Sequence, residues 1–548
     1  MHRGAKAAIV GGVFAVMVGG AGYGAYNFLH ALHGSPRPSG NVAGPAPVRS
    51  GPPSAGEVKE AGAKFLAAWA KGDAATAASY TNNSDAAERL LTAYGGDAHI
   101  GSVHITQGTR SGDSVSFSVK ATVSYQGKSE PLAYDSKLTV VRGVTTGRAL
   151  VDWEASIVHP GLERGDTLVT GEAKNPPIEA VDRNNVVLTK EKYPSLGPVL
   201  DALRAKYGEA AGGRAGIELS VVPADENAAR RTLLTLVKGA PATLHTTLSA
   251  HAQAAAERAV LQYAESSVVA VKPSTGEVLA VANHRKDEFN AAFEGRLAPG
   301  STMKIITAAT LIDNGVATMN GLAPCEASVV WQSQTFRNLQ NMQPNEHATL
   351  ANSFMRSCNT AFIKLIAKDG LTDASLTTEA QERFGLGRDN WKTGIVSFDG
   401  SVPASLGPDR AANAIGQGQV QMSPLNMASV TATAITGTFR QPYLVSPRLD
   451  GRQLATARGL APSTVSQLKA MMHLTATQYP GTAVHAMAGL GPDIGAKTGS
   501  AEVDGQAKSN SWFTGYRGDM AAAAMTQEGG HGGDAAGPIV AAVLRSGG

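Results

Sequence analysis

Ser301 and Lys304 stand three residues apart at the head of the segment STMKIITAATLI, so on a helix their side chains share one face. A serine hydroxyl is a poor nucleophile until a neighbour takes its proton, and Lys304 can do so only as a neutral amine. An ordinary lysine titrates at about 10.4, so reaching neutrality near pH 7 takes roughly 3 units, or about 4 kcal/mol. Burial on an apolar helix and a second cation nearby both push that way. Fifty-six residues later comes Ser357-Cys358-Asn359. There Ser357 can relay a proton to a departing amine, and Asn359 can orient Lys304 and hold a substrate amide. Helix capping is the plainer reading of Ser357 and Asn359, and their spacing and flanks favour chemistry. A second cation is offered twice, by Lys392-Thr393-Gly394 and by Lys497-Thr498-Gly499. The first lies in a Gly-, Asp-, Asn- and Pro-rich stretch 35 residues past Ser357 and reads as a loop; the second, 140 residues past it, leads to the strand-like Ser511 to Gly515. Lys497 is therefore taken. On an edge strand, the backbone of 497–500 can pair with an extended peptide, Lys497 and Thr498 can hold a terminal carboxylate, and Gly499 permits close approach.

The three motifs, in this order and spacing, resemble the catalytic set of the penicillin-binding serine acyltransferases. The resemblance covers essentially all of 246–548, with supporting segments at Thr246-Thr247-Leu248, Ile415-Gly416-Gln417-Gly418, Ser423-Pro424-Leu425 and Gly481-Thr482-Ala483. It implies a serine D-Ala-D-Ala transpeptidase of class B, with catalytic Ser301, Lys304, Ser357, Asn359 and Lys497 and substrate-binding Thr498, Gly499 and Ser500. It also implies an oxyanion hole made by the amides of Ser301 and Ser500; family members commonly carry threonine where Ser500 stands. Expected partners are the stem peptide of a lipid-linked precursor or nascent glycan strand, β-lactams, the cell membrane, and a glycosyltransferase or other division or elongation proteins. No cofactor or metal is expected. A D,D-carboxypeptidase or β-lactamase would use the same motifs, and a β-lactam sensor or scaffold is the third reading. The supporting segments read as packing, and His531, in the Gly-rich turn 529–533, as solvent-exposed.

These residues need elements to hold them. A chain of 548 residues is long enough for about three globular units. Arg3 and Lys6 precede 23 uncharged residues, Ala7 to Leu29, which as a helix span about 35 Å. That is enough for a bilayer's hydrocarbon core, so 1–33 is expected to be an N-terminal membrane anchor, with a cleaved signal as the alternative. The catalytic region is then extracytoplasmic. Residues 34–54, rich in Pro, Gly and Ser, form a tether. Over 55–160 the pattern gives an amphipathic helix (Val58, Ala61, Phe65, Leu66, Trp69) and a second one near Asp85 to Tyr94. A strand with alternating Val115, Phe117, Val119, Ala121 and Val123 follows, then strands through Leu138, Val140, Val151, Trp153 and Ala155. This α+β unit is similar to the nuclear-transport-factor-like domain that precedes some transpeptidases, and it shows no catalytic constellation of its own. Residues 161–245 read as a non-catalytic linker or pedestal, with Arg183 as a structural ion-pair partner. The expected fold is thus multidomain α+β: a single transmembrane helix, a cone-shaped α+β domain, and a β-lactamase/transpeptidase-like domain with a central antiparallel sheet flanked by helices.

Composition narrows the alternatives. The net charge of +3, from 48 basic and 45 acidic residues, and the lack of a basic run with interleaved aromatics argue against nucleic acid. Cys325 and Cys358, the only cysteines, have no metal-ligand spacing. Their separation of 33 residues permits a disulfide but does not itself imply one, and Cys358 reads as a packing residue.

Overall fold

The computed structural model describes residues 51–547 apart from 145, 175, 226, 227 and 288. The expected anchor and most of the tether lie outside the described residues. Among the described residues, no helix is long and apolar enough to cross a membrane.

Helix α1 (Ala55–Ala70) starts at a capping box in which the Ser54 side chain accepts from the Glu57 amide and Glu57 reaches back to the Ser54 amide. Its stripe Val58, Ala61, Phe65, Leu66 and Trp69 is buried, as the spacing predicts. After α2 (Ser84–Gly95), strands β1 (Ile100–Ser111), β2 (Ser114–Tyr125), β3 (Lys128–Arg142) and β4 (Ala149–Val151) form an antiparallel sheet in that order. The alternating residues of β2 face the helices, and the Trp69 ring meets Phe117 and Tyr94 edge-on, with centroids 5.9 and 5.5 Å apart. The last strand ends sooner than its pattern predicts. Beyond Val151 the Trp153 amide bonds the Asn82 side chain instead of a strand, and Ala155–Ile157 is a 3-10 turn.

Strands β5 (Thr167–Glu172), β7 (Ile217–Val222) and β8 (Arg231–Val237) make a second sheet, whose Leu168, Leu219, Val221 and Leu236 join the core of the first. The parallel pair β6 (Ile178–Val181) and β9 (Ala242–His245), with α3 (Gly197–Tyr207), turns the other way. Its Ala180, Val199, Leu203, Tyr207 and Leu244 belong to the large core that surrounds the catalytic motifs. Arg183 pairs with Glu277 at 3.2 Å, the structural role expected of it.

The third sheet carries β10 (Ser266–Val271), β11 (Val278–His284), β14 (Ile494–Ala501), β15 (Asn510–Arg517) and β16 (Met520–Thr526) in the antiparallel order β11-β10-β16-β15-β14. Alternate residues of these strands enter two different cores. Val268, Ala270, Phe513 and Ala524 pack with α4 (Ala250–Val260) and the final helix α11 (Ala536–Ser546). Val269, Trp512 and Ala523 pack with α5 (Lys304–Asp313) and α8 (Pro424–Thr436). This places β14 at the sheet's edge, beside the turn that precedes α5. Helix α9 (Pro462–Thr477) packs against the same strand, and the short α10 (Val484–Met487) follows it. Phe65, which touches Trp69 and Trp153, tests the first core. Phe65→Ala should lower the unfolding free energy by about 3–5 kcal/mol, read as a lower denaturant midpoint at unchanged slope.

Candidate active site

The STMK segment begins as a 3-10 turn, Gly300–Met303, and becomes α-helical only at Lys304. This shifts the expected helix start by three residues. Gly300 has φ +53°, and a Cβ there would lie 2.5 Å from the Ser500 carbonyl oxygen, so glycine is needed both for the conformation and for the approach of the turn to β14. The Gly300 amide donates to the Gly416 carbonyl at 2.8 Å, which gives the IGQG segment its role as a brace behind the nucleophile.

Two short helices frame the second motif, α6 (Leu350–Met355) and α7 (Asn359–Ile366). Between them Ser357 adopts φ +63°, a conformation costing a non-glycine residue of order 1–3 kcal/mol. It persists because its surroundings over-determine it. The Cys358 amide donates to Ser353, the Ser357 amide to Phe354, and the Cys358 sulfur is bonded to Cys325, with Cα atoms 6.0 Å apart. The pairing overturns the reading of Cys358 as a plain packing residue; the fold brings two chain segments together that spacing alone could not. Cys325 lies just ahead of the hairpin β12 (Ser328–Trp331) and β13 (Gln334–Arg337). Directly after that hairpin, Asn338 accepts from the amides of Asn359 and Thr360 at 2.8 and 3.1 Å. It thus supplies the cap that Cys358, at the N-cap position, cannot. Asn338 carries no motif signal, and its contribution is visible only in three dimensions.

The payoff of the left-handed turn is that Ser357 presents both its carbonyl and its hydroxyl to the interior. Lys304 Nζ lies 2.8 Å from Ser301 Oγ, 2.9 Å from the Ser357 carbonyl, 3.5 Å from Ser357 Oγ and 2.6 Å from Asn359 Oδ1. Lys497 Nζ reaches Ser357 Oγ at 2.8 Å and the Thr498 carbonyl at 2.9 Å. Both ammonium-bearing side chains are fully buried, and every one of these partners is neutral. Each amine also faces an aromatic ring, Phe362 for Lys304 and Phe354 for Lys497, at 5.6 Å from the centroid. Burial holds Lys304 well below its ordinary range, and the neighbouring Lys497 charge adds to the depression. Burial lowers Lys497 to about 7. The direction is the one a lysine base requires.

On β14, Lys497 and Gly499 face the 3-10 turn while Thr498 and Ser500 alternate to the other side. A Cβ at Gly499 would lie 2.7 Å from the Pro299 carbonyl oxygen, so the strand and the nucleophile's turn are in direct contact. Thr498 Oγ1 bonds Thr482 Oγ1 at 2.6 Å, a contact not anticipated for the Gly481-Thr482-Ala483 segment. His531 is exposed, as expected, with Nδ1 3.5 Å from Ser500 Oγ. The structure therefore brings together Ser301, Lys304, Ser357, Asn359, Lys497, Thr498, Gly499 and Ser500. Lys392, the rejected rival, lies in an irregular segment and bonds Gln441 and Arg452 through its backbone.

The arrangement can take a proton from Ser301, hold a charge-poor pocket around the acceptor amine, and return a proton through Ser357. Comparison with known proteins points the same way. The penicillin binding protein transpeptidase domain matches residues 266–545, and the NTF2-like N-terminal transpeptidase domain matches residues 57–166. A protein of Mycolicibacterium smegmatis named peptidoglycan D,D-transpeptidase PbpA is 30% identical over 345 residues, 51% of this chain and 67% of that one. Its Mycobacterium tuberculosis H37Rv namesake is 27% identical over 43% of this chain, which spans 55% of that relative's length. Among solved structures, Pseudomonas aeruginosa PBP2 in complex with WCK 5153 superposes with a TM-score of 0.54 at 20% identity, over 68% of this chain and 96% of that one. A chain from a structure described as coordinating polymerization and crosslinking by a peptidoglycan synthase complex gives 0.52 at 20% identity, over 70% and 92%. At such identity the superpositions establish a shared fold.

Three measurements check this geometry. Acylation by a penicillin should fall as pH drops, because the base Lys304, which burial and the neighbouring Lys497 hold neutral well below the ordinary lysine range, regains its proton. The sign for stability is the same: between about 7 and 10.4 the unfolded chain holds a proton on Lys497 that the folded chain lacks, so unfolding free energy should rise with pH across that window. Replacing both bridge cysteines, Cys325→Ser with Cys358→Ser, should lower unfolding free energy by about 2–4 kcal/mol and slow acylation, because the turn at Ser357 loses its anchor.

Proposed function

Since the chain belongs to the penicillin-binding protein transpeptidase family, we propose that it is a peptidoglycan D,D-transpeptidase acting through an acyl-enzyme on Ser301. The observation that carries this reading is the 2.8 Å contact between Ser301 Oγ and a buried lysine whose partners are all neutral. In the first half-reaction the Ser301 oxygen attacks the carbonyl of the penultimate D-Ala of a stem peptide, and its proton passes to Lys304. The tetrahedral oxyanion rests on the amides of Ser301 and Ser500. The C–N bond then breaks, Ser357 delivers a proton to the leaving D-Ala, and Lys497, bonded to the same hydroxyl, holds Ser357 in place. In the second half-reaction an amine of a neighbouring strand attacks the ester, loses a proton along the same route, and releases Ser301. Asn359 orients Lys304 and the substrate amide, Thr498 and Ser500 receive the terminal carboxylate, and the edge of β14 pairs with the peptide backbone. A β-lactam acylates the same serine.

The same reading gives the chain its layout. Residues 1–33 anchor it as a single-pass protein of the cell membrane and 34–54 tether it. The unit over 55–160, with 161–245, lifts 246–548 off the bilayer toward the wall. A glycosyltransferase is the natural partner, since the chain has a fold in common with a chain from a peptidoglycan synthase complex described as coordinating polymerization and crosslinking. The test is mass spectrometry after fluorescent penicillin, on wild type and Ser301→Ala. A persistent adduct on wild type alone is expected. Rapid release of the adduct would identify a hydrolase instead, and equal labelling of both proteins would remove Ser301 from the mechanism.

A further inference from the structure

Thr498 and Ser500, the two hydroxyls assigned above to the substrate carboxylate, each have a hydrogen-bond neighbour outside the three motifs. Thr498 Oγ1 lies 2.6 Å from Thr482 Oγ1. Thr482 is itself fixed: its amide donates to the Met355 carbonyl at 3.1 Å, at the end of the helix that leads into Ser357, and its hydroxyl reaches the same carbonyl only at a longer 3.4 Å, so the 2.6 Å contact to Thr498 is the shorter course for its proton. Ser500 Oγ lies 3.5 Å from His531 Nδ1. His531 is held through its backbone, the amide donating to Asp534 Oδ2 at 3.1 Å and the carbonyl accepting from Ser511 Oγ at 2.8 Å. The turn that carries it is pressed onto the strand. A Cβ at Gly532 would come within 2.3 Å of the Trp512 carbonyl oxygen and 2.7 Å of both Gly499 N and O, so only glycine lets the chain run there. Two separate segments, one entering α10 and one entering α11, therefore converge on the two outward hydroxyls of β14.

A hydroxyl has one proton. To donate it to a carboxylate, Thr498 must not spend it elsewhere, and a neighbour that donates to its oxygen enforces that choice. Thr482 can do so, and an imidazole N–H can do the same for Ser500. We propose that Thr482 and His531 are positioning residues that turn the hydroxyl protons of Thr498 and Ser500 toward the terminal carboxylate of the substrate, and so set the preference for a free carboxylate over a blocked one. The inference rests on the acyl-enzyme reading above and adds to it two residues outside its motifs.

The experiment compares acylation of the full-length protein by benzylpenicillin and by its methyl ester. Both carry the same β-lactam carbonyl, and only the acid offers a carboxylate. Thr482→Val and His531→Leu should each cut the acid-over-ester ratio of second-order acylation rates by about tenfold, the scale of one charge-assisted hydrogen bond, while Thr482→Ser and His531→Asn restore it. A merely structural role would slow both compounds in proportion. The proposal is overturned if the ratio stays at the wild-type value in Thr482→Val and His531→Leu, whatever the absolute rates. Absence of a Ser301 adduct in wild type with either compound would instead remove the acyl-enzyme reading on which it stands.

Discussion

Two lysine amines buried side by side, without a carboxylate among their hydrogen-bond partners, set the conditions for the rest of this domain. A charged ammonium in such a place costs several kcal/mol, and a protein normally answers with a counter-ion. Here the answer is a shared neutral residue, Ser357, whose carbonyl and hydroxyl serve Lys304 and whose hydroxyl also serves Lys497. Supplying a carboxylate would restore the positive charge and remove the base. The surroundings must therefore stay dry and neutral, which explains the Phe354 and Phe362 walls and the apolar run that follows Lys304.

Stability spent in that way has to be recovered in the frame. The left-handed turn at Ser357 adds its own cost, and the features that offset it come from distant parts of the chain: the Cys325 bridge, the Asn338 cap, and the Thr482 amide at Met355. On the nucleophile's side the frame is built by close backbone approach. A Cβ at Gly416 would lie 1.8 Å from the Gly300 carbonyl oxygen, so these two glycines let the IGQG segment lie flush behind Ser301. The site is held from every side by elements that themselves do no chemistry.

What the sequence makes legible follows from how local each constraint is. The three-residue step from Ser301 to Lys304 and the alternation of Val115 to Val123 express helix and strand periods within a few residues, and both appear as expected. Strand β1 escapes notice because nearly all of it is exposed or half-buried and its pairing to β2 slips at Gly101/His104 and Gln107/Arg110, so no period survives in IGSVHITQGTRS. Trp153 and Ala155 continue an apolar alternation without continuing a strand, because the Asn82 side chain takes the Trp153 amide. At the site, residue types with a fixed chemical duty were recognisable. The disulfide, Asn338 and the Thr482 contact were not, since each joins segments 16 to 33 residues apart through space and needs the third dimension to be seen.

The strand order β11-β10-β16-β15-β14 also governs when this chemistry becomes available during synthesis. Strand β10 has one neighbour from the middle of the chain and the other from near its end, with Val268 opposite Ala524. Lys497 emerges from the ribosome 196 residues after Ser301, and the strands that support it come later still. Pairing over such separations is slow and happens only after the distant partner exists. A growing chain therefore carries a serine and a lysine in sequence but no lowered amine and no strand edge for a peptide. The nucleophile stays silent until β15 and β16 close the sheet, which keeps reactivity out of every unfinished copy.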